Sequence, residues 1–224
     1  DRRRRGGDHE GPGRAPARAV SRRADDAGRR GQLLRESARL FREKGYDATS
    51  VRDIAAATGL QSGSWVYHFK TKQDILAAVM EQGLQQALER IEAIAREELP
   101  PREHFRALVR THLDTLLGPG QDFIPVLLYD WRSLDKPGRE RVIALQKRYE
   151  QVWEDVIHQL QRAGDWAMPT SIDRLLMFGA LNWIVQWYRP RGPLNAAQIV
   201  AEAEKFFLRT SPKVRARRPG ARRS

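Results

Sequence analysis

Between Gly59 and Asp74 the chain reads GLQSGSWVYHFKTKQD. Gln61, Ser62 and Ser64 can donate and accept hydrogen bonds, and Gly63 among them lets another surface approach the backbone closely. Trp65, Tyr67, His68 and Phe69 follow as a cluster of aromatic faces. Lys70 and Lys72 flank the start of Thr71-Lys72-Gln73-Asp74, a Thr-x-x-acid pattern that opens a helix and leaves free amide donors beside two cations. This is chemistry for hydrogen-bonding a polar edge and holding a phosphate, not for breaking bonds.

Residues suited to catalysis are scarce elsewhere. The five histidines, His9, His68, His104, His112 and His158, form no His-Glu-x-x-His pattern, and His104 and His112 are too far apart for adjacent helical turns to share an ion. No Gly-x-Ser-x-Gly elbow and no phosphate-cradling Gly-rich loop occurs. Gly11-Pro12-Gly13 and Gly118-Pro119-Gly120 read as turns or linkers, and acid pairs such as Glu97-Glu98 fall on charged helical faces. The chain has no cysteine, which excludes disulfides, thiolate zinc sites and thiol catalysis. No enzyme, no metal and no required cofactor is the expectation.

Helices must position the polar run. Leu33, Leu34, Ala38 and Phe41 recur at helical spacing from Arg29 to Lys44, with Gly45 as a stop. Ser50-Val51-Arg52-Asp53 is a second capping pattern, so a short helix begins near Val51 and ends before Gly59. A third short helix over 61–68 is expected, then a long one opened by Thr71 with Ile75, Leu76, Val79, Leu84, Leu88 and Ile91 on its apolar face. Further helices are expected over 101–117, 123–134, 137–163 and 171–188, and a last one capped by Asn195 with Ile199, Ala203, Phe206 and Phe207 inward. No alternating strand pattern and no repeat of fixed period appears. The fold class is all-α, with about nine helices.

The 224 residues include 41% hydrophobic and 30% charged, a soluble globular balance. The apolar stretch at 178–185 is too short to span a bilayer, and no leader pattern opens the chain. A cytoplasmic location without membrane association is expected. The net charge of +12 is unevenly placed. Ten arginines against five acids in 1–30 give +5, and one lysine with five arginines in 212–224 gives +6. These ends read as disordered basic tails over 1–28 and 212–224, either solubilising or attracting phosphate without sequence preference.

Two short helices joined at Gly59-Leu60 and braced by a first make a helix-turn-helix, whose second helix suits a DNA major groove. LFREKGYDATSVRDIAAATGLQSGSWVYHFKTKQDIL resembles the DNA-binding domain of the TetR family of bacterial transcription regulators. Phe41, Gly45, Tyr46, Thr49, Ile54, Ala55, Gly59, Gly63, Ser64, His68, Phe69, Lys72 and Leu76 carry the likeness. It implies a DNA-binding domain over 29–75 that contacts an operator through Thr49, Ser50, Arg52, Gln61, Ser62, Gly63, Ser64, Trp65, Tyr67, His68, Lys70 and Lys72. Gln61, Ser62 and Ser64 would read bases, while Arg52, Tyr67, Lys70 and Lys72 would hold phosphates. The family pattern places a phosphate-binding Tyr where this chain has Val66, so either Trp65 or Tyr67 takes the DNA side. Phe69 is expected in the core and His68 half-buried near a phosphate.

The resemblance also implies a ligand-binding and dimerisation domain over 76–211. The helix at 171–188 is apolar almost all round, so it needs cover on two sides. Dimerisation is assigned to Leu175, Phe178, Leu181, Val185, Ile199 and Phe206, and a two-fold dimer implies a palindromic operator. Asn182-Trp183, Trp187-Tyr188-Arg189-Pro190 and Gly192-Pro193-Leu194 are similar to a narrower group of TetR regulators of lipid breakdown, several of which respond to CoA thioesters. An acyl-CoA or related amphiphile is therefore the expected effector, its acyl group among Phe123, Leu127, Trp131, Trp153 and Trp183 and its phosphates near Arg132 or Arg139. The rival expectation is a nonspecific nucleic-acid binder driven by the tails, which would lose all binding once they are removed.

Overall fold

The computed structural model describes residues 15–59, 65–118, 122–166 and 171–208; of Trp65, Val66 and the residues before Asp26 it describes the backbone alone. Among these residues there are nine α-helices, one 3-10 turn and no strand. They are α1 (Ala15–Lys44), α2 (Val51–Thr58), α3 (Trp65–His68), α4 (Lys72–Ala95), α5 (Pro101–Leu117), α6 (Phe123–Asp130), α7 (Lys136–Ala163), α8 (Ser171–Trp187) and α9 (Ala196–Phe207). The 3-10 turn, Trp131–Ser133, finishes the helix expected to reach Leu134.

The first helix corrects one expectation. It starts at Ala15 rather than Arg29, so part of the stretch read as a disordered tail is helical. Alanine and arginine dominate residues 15–30, and both are strong helix formers whatever their charge. Pro16 falls in the first turn, where it costs no hydrogen bond.

Local chemistry explains the other boundaries. Ser50 and Asp53 exchange side-chain and backbone hydrogen bonds at the start of α2, and Thr71 with Asp74 repeats the arrangement at α4. Asn195 and Gln198 do the same at α9. Gly59 closes α2 in the left-handed region at φ 66°, a conformation that a side chain at this position would resist.

One continuous core runs through the molecule. Leu33, Leu34, Phe41, Ile54 and Phe69 pack with Ile75, Leu76 and Val79, so the helix-turn-helix is built onto α4. α4 continues into the larger half, where Leu84, Leu88 and Ile91 meet Phe105, Leu108, Trp153 and Leu160 from α5 and α7. The buried Glu204 carboxylate of α9 accepts from Arg106 at 2.7 Å and Arg102 at 3.1 Å, tying α9 to α5. Arg106 above all, then Arg102, holds that carboxyl below its usual range.

Candidate nucleic-acid interface and internal cavity

The described part of the helix-turn-helix presents Ser50, Arg52, Tyr67 and Lys70 to solvent. Tyr67 is 80% exposed, a large ring held out from α3 with no core to cover it. Gln61, Ser62, Gly63 and Ser64 lie outside the described residues, and so does the side chain of Trp65. Ser50 caps α2, and its hydroxyl also reaches Asp53 Oδ2 at 2.6 Å. His68 is almost covered and sits 3.6 Å from Asp26 of α1. Phe69 is buried, as expected, beneath the Arg30 guanidinium.

Two residues assigned to DNA turn inward. Thr49 is 1% exposed, and its hydroxyl donates to Gly45 O at 2.8 Å and to Leu40 O at 3.3 Å. It closes the α1–α2 turn and has no surface to offer. Lys72 donates from Nζ to Tyr46 O at 2.7 Å and Thr49 O at 2.8 Å, and its ammonium lies over the Tyr46 ring. Its charge braces the start of α4 against the α1–α2 turn instead of standing free for a phosphate. Sequence spacing places both residues on the right segment but does not distinguish a DNA contact from a clasp beneath it.

A cavity of about 330 Å³ opens among α4, α5, α6, α7 and α8. Leu84, Ala87, Leu116, Ile124, Leu128 and Val142 supply apolar wall, and His112, Tyr149 and Asn182 form a polar cluster inside it. Tyr149 donates to His112 Nδ1 at 2.7 Å, and His112 Nε2–H donates to Asn182 Oδ1 at 3.1 Å. Burial lowers the His112 pKa to about 4, against a smaller opposing effect from the Asn182 bond, so the imidazole is neutral near pH 7. Burial pushes the Tyr149 phenol up, and it keeps its proton.

Of the residues assigned to the effector, Leu127 and Trp131 line this cavity. Phe123 instead packs on Gly83, where α6 crosses α4. Trp153 is fully buried in the core, edge-on to Phe105, His112 and Phe178. Trp183 is 64% exposed, because it lies one residue, about 100°, around α8 from the cavity-facing Asn182. Arg139 places its guanidinium over the Trp131 ring and donates to the Leu134 and Arg132 carbonyls, while Arg132 is exposed. Nothing in the spacing of His112, Tyr149 and Asn182 brings their three helices together, so this cluster is legible only in the fold.

The dimerisation set divides as well. Leu175 and Phe178 border the cavity. Leu181 and Ile199 are buried within their own chain and floor a groove between α8 and α9. Phe206 is 57% exposed at the groove's edge, and Val185 is half-buried. The large apolar residues of α8 that stand in water are Ile172, Leu175, Leu176, Trp183 and Trp187.

α6 connects the cavity to the helix-turn-helix. Its inner face supplies Ile124, Leu127 and Leu128 to the wall. Just before it, Asp122 pairs with Arg42 of α1 at 2.8 Å. At its end, the half-buried Asp130 accepts from the Tyr46 backbone, and burial is the main cause of its raised carboxyl pKa. Beyond it, the Gln73 side chain of α4 donates to Ser133 O at 2.7 Å and accepts from Asp135 N at 3.1 Å. Among the described residues no group of three or more His, Asp or Glu is placed to hold a metal, and no helix is long and apolar enough to cross a membrane.

Comparison with known proteins bears on both halves. Residues 33–79 match the family described as bacterial regulatory proteins, tetR family, and residues 98–211 match the tetracyclin repressor-like C-terminal domain. The HTH-type transcriptional repressor KstR2 of Mycobacterium tuberculosis is 30% identical over 176 residues, covering 76% of this chain and 86% of that protein. The crystal structure of superantigen PfiT superposes with a TM-score of 0.71 at 39% identity, over 82% of this chain and 97% of the other. AibR, solved in complex with isovaleryl coenzyme A and operator DNA, shares the fold with a TM-score of 0.73 at 24% identity, over 80% and 98% of the two chains.

Proposed function

The chain belongs to the TetR family of bacterial transcriptional regulators, DNA-binding proteins rather than enzymes, and from that premise we propose that it is an effector-released homodimeric repressor of a palindromic operator. Its effector is an acyl-CoA or another lipid-derived amphiphile. The observation that carries the reading is the cavity whose α6 wall is fastened to α1, to the α1–α2 turn and to the start of α4. A ligand that needs α6 displaced favours a different setting of the helix-turn-helix, and by linkage that setting disfavours DNA.

Three further points support it. The exposed Arg52, Lys70 and Tyr67 flank the segment that would enter a major groove. The apolar stripe on α8 calls for a partner, and a second copy supplies two-fold symmetry. The repressor KstR2 gives repression its precedent, and the isovaleryl-CoA complex of AibR gives one for the effector class. Any CoA phosphates would lie outside the cavity, beside Arg139 and Arg132, because 330 Å³ is near the lower limit for small-molecule sites.

The test begins with selection of a binding site from random DNA, followed by salt-dependent affinity for two variants. Gln61→Ala should blur preference at one position per half-site. Lys70→Ala should weaken all sequences alike and reduce the salt slope by about one. Loss of sequence preference in neither variant, or a selected site without two-fold symmetry, would overturn the assignment.

A further inference from the structure

Much of the polar lining of the cavity is bonded to itself, and what remains is donors without charge. The Tyr149 hydroxyl donates to His112, the His112 N–H goes to Asn182 Oδ1, and the Thr115 hydroxyl donates to Thr111 O at 2.8 Å. Glu150, the acidic residue of the lining, pairs with Arg174 and accepts from Gln146 Nε2 at 2.9 Å. No lysine or arginine lines the cavity. The Asn182 NH2 donates to no described residue, because its own oxygen is the atom turned to His112. A ligand therefore meets an apolar wall, the amide donors of Asn182 and Gln146, the Trp131 indole N–H, a neutral imidazole and no unpaired cation.

We infer that this cavity takes an uncharged, apolar carbonyl compound whose oxygen accepts from the Asn182 amide, and that it rejects the corresponding free carboxylate. A buried carboxylate would lose its water with no cation to offset the loss, and it would lie against the Glu150 wall. His112 does not supply the missing charge, since burial keeps it neutral down to about pH 4. The inference rests on the effector reading above and narrows it: the recognised form is the ester or thioester, not the free acid. The reaction class that converts a carboxylate to its thioester then creates the signal, and hydrolysis of that thioester erases it.

The experiment uses the full chain at pH 7.5 with 2-nonanone, methyl octanoate and octanoate as probes, read by tryptophan fluorescence, to which the cavity-lining Trp131 contributes, and by thermal shift. The ketone and the ester should bind and raise the midpoint, and octanoate should bind at least about thirtyfold more weakly. Asn182→Asp keeps an oxygen for His112 but removes the NH2, and should weaken the ketone about tenfold. Octanoate binding as tightly as the ketone, or neither neutral compound binding, overturns the inference. The wild-type comparison decides the matter even where the variant fails to fold. Operator release is read in parallel with octanoyl-CoA. Neutral probes that bind while no ligand releases the operator would sink the repressor reading and leave the cavity's ligand class standing. Release by octanoyl-CoA with equal binding of octanoate and ketone would do the reverse.

Discussion

His112 shows how much one side chain can depend on its neighbours. Its ring is enclosed by Tyr149, Trp153, Phe178 and Asn182, and its folded pKa of about 4 lies below the ordinary 6.5. Above pH 6.5 neither the native nor the unfolded state holds the proton, so the group contributes no pH dependence there. As pH falls below 6.5 the unfolded chain takes up a proton that the native ring refuses, and stability drops until about pH 4. The loss attributable to this group is about 3 kcal/mol across that window. Urea unfolding at pH 7 and pH 4.5 checks it: His112→Gln should fall less steeply with acid than the wild type, whatever its stability at pH 7.

At the scale of elements, the crossing of α4 and α6 packs the cavity wall against the helix that carries the helix-turn-helix. Gly83 allows it, for a Cβ there would meet Phe123 Cβ at 2.5 Å and the Phe123 backbone carbon at 3.4 Å. Alanine has the better helix propensity by about 1 kcal/mol, but overpacking at a backbone contact costs roughly 1–3 kcal/mol. Gly83→Ala should therefore lower the urea midpoint, since α6 cannot retreat without straining the Arg42–Asp122 pair and the Gln73 clasp. An unchanged or higher midpoint would show that α6 yields freely. A second clasp gives Lys72 and Thr49 a structural role in place of a DNA contact: the Lys72 ammonium holds the α1–α2 turn to the start of α4, and the Thr49 hydroxyl closes that turn.

For the whole molecule the open question is what covers α8. Ile172, Leu176, Trp183 and Trp187 fall within about 60° of one another around the helix. Their exposures of 64%, 64%, 64% and 45% leave a contiguous apolar stripe in water. Gly179 lies on the same stripe with open space above it, which suits close approach of another helix. Light scattering should find a dimer at micromolar concentration. Leu176→Glu should give a folded monomer with weakened operator binding, because two heads on one duplex act through their linkage. A wild-type monomer would remove this interface.

Several features follow from sequence alone. The all-α class, the capping boxes at Ser50 and Thr71, and the bounds of α5 are local, set by hydrogen bonds within a few residues and by the 3.6-residue period. The likeness at 41–76 rests on the same local pattern. Tertiary structure decided what period cannot express, namely which face of each helix meets which neighbour. Trp153 and Trp183 look alike in sequence, yet one is sealed in the core and the other stands in water. Thr49 and Lys72 read as surface donors until the α1–α2 turn folds back over them. His112, Tyr149 and Asn182 come from three helices and meet only when α5, α7 and α8 pack, so their hydrogen bonds, and the neutral cavity they define, exist only in the folded molecule.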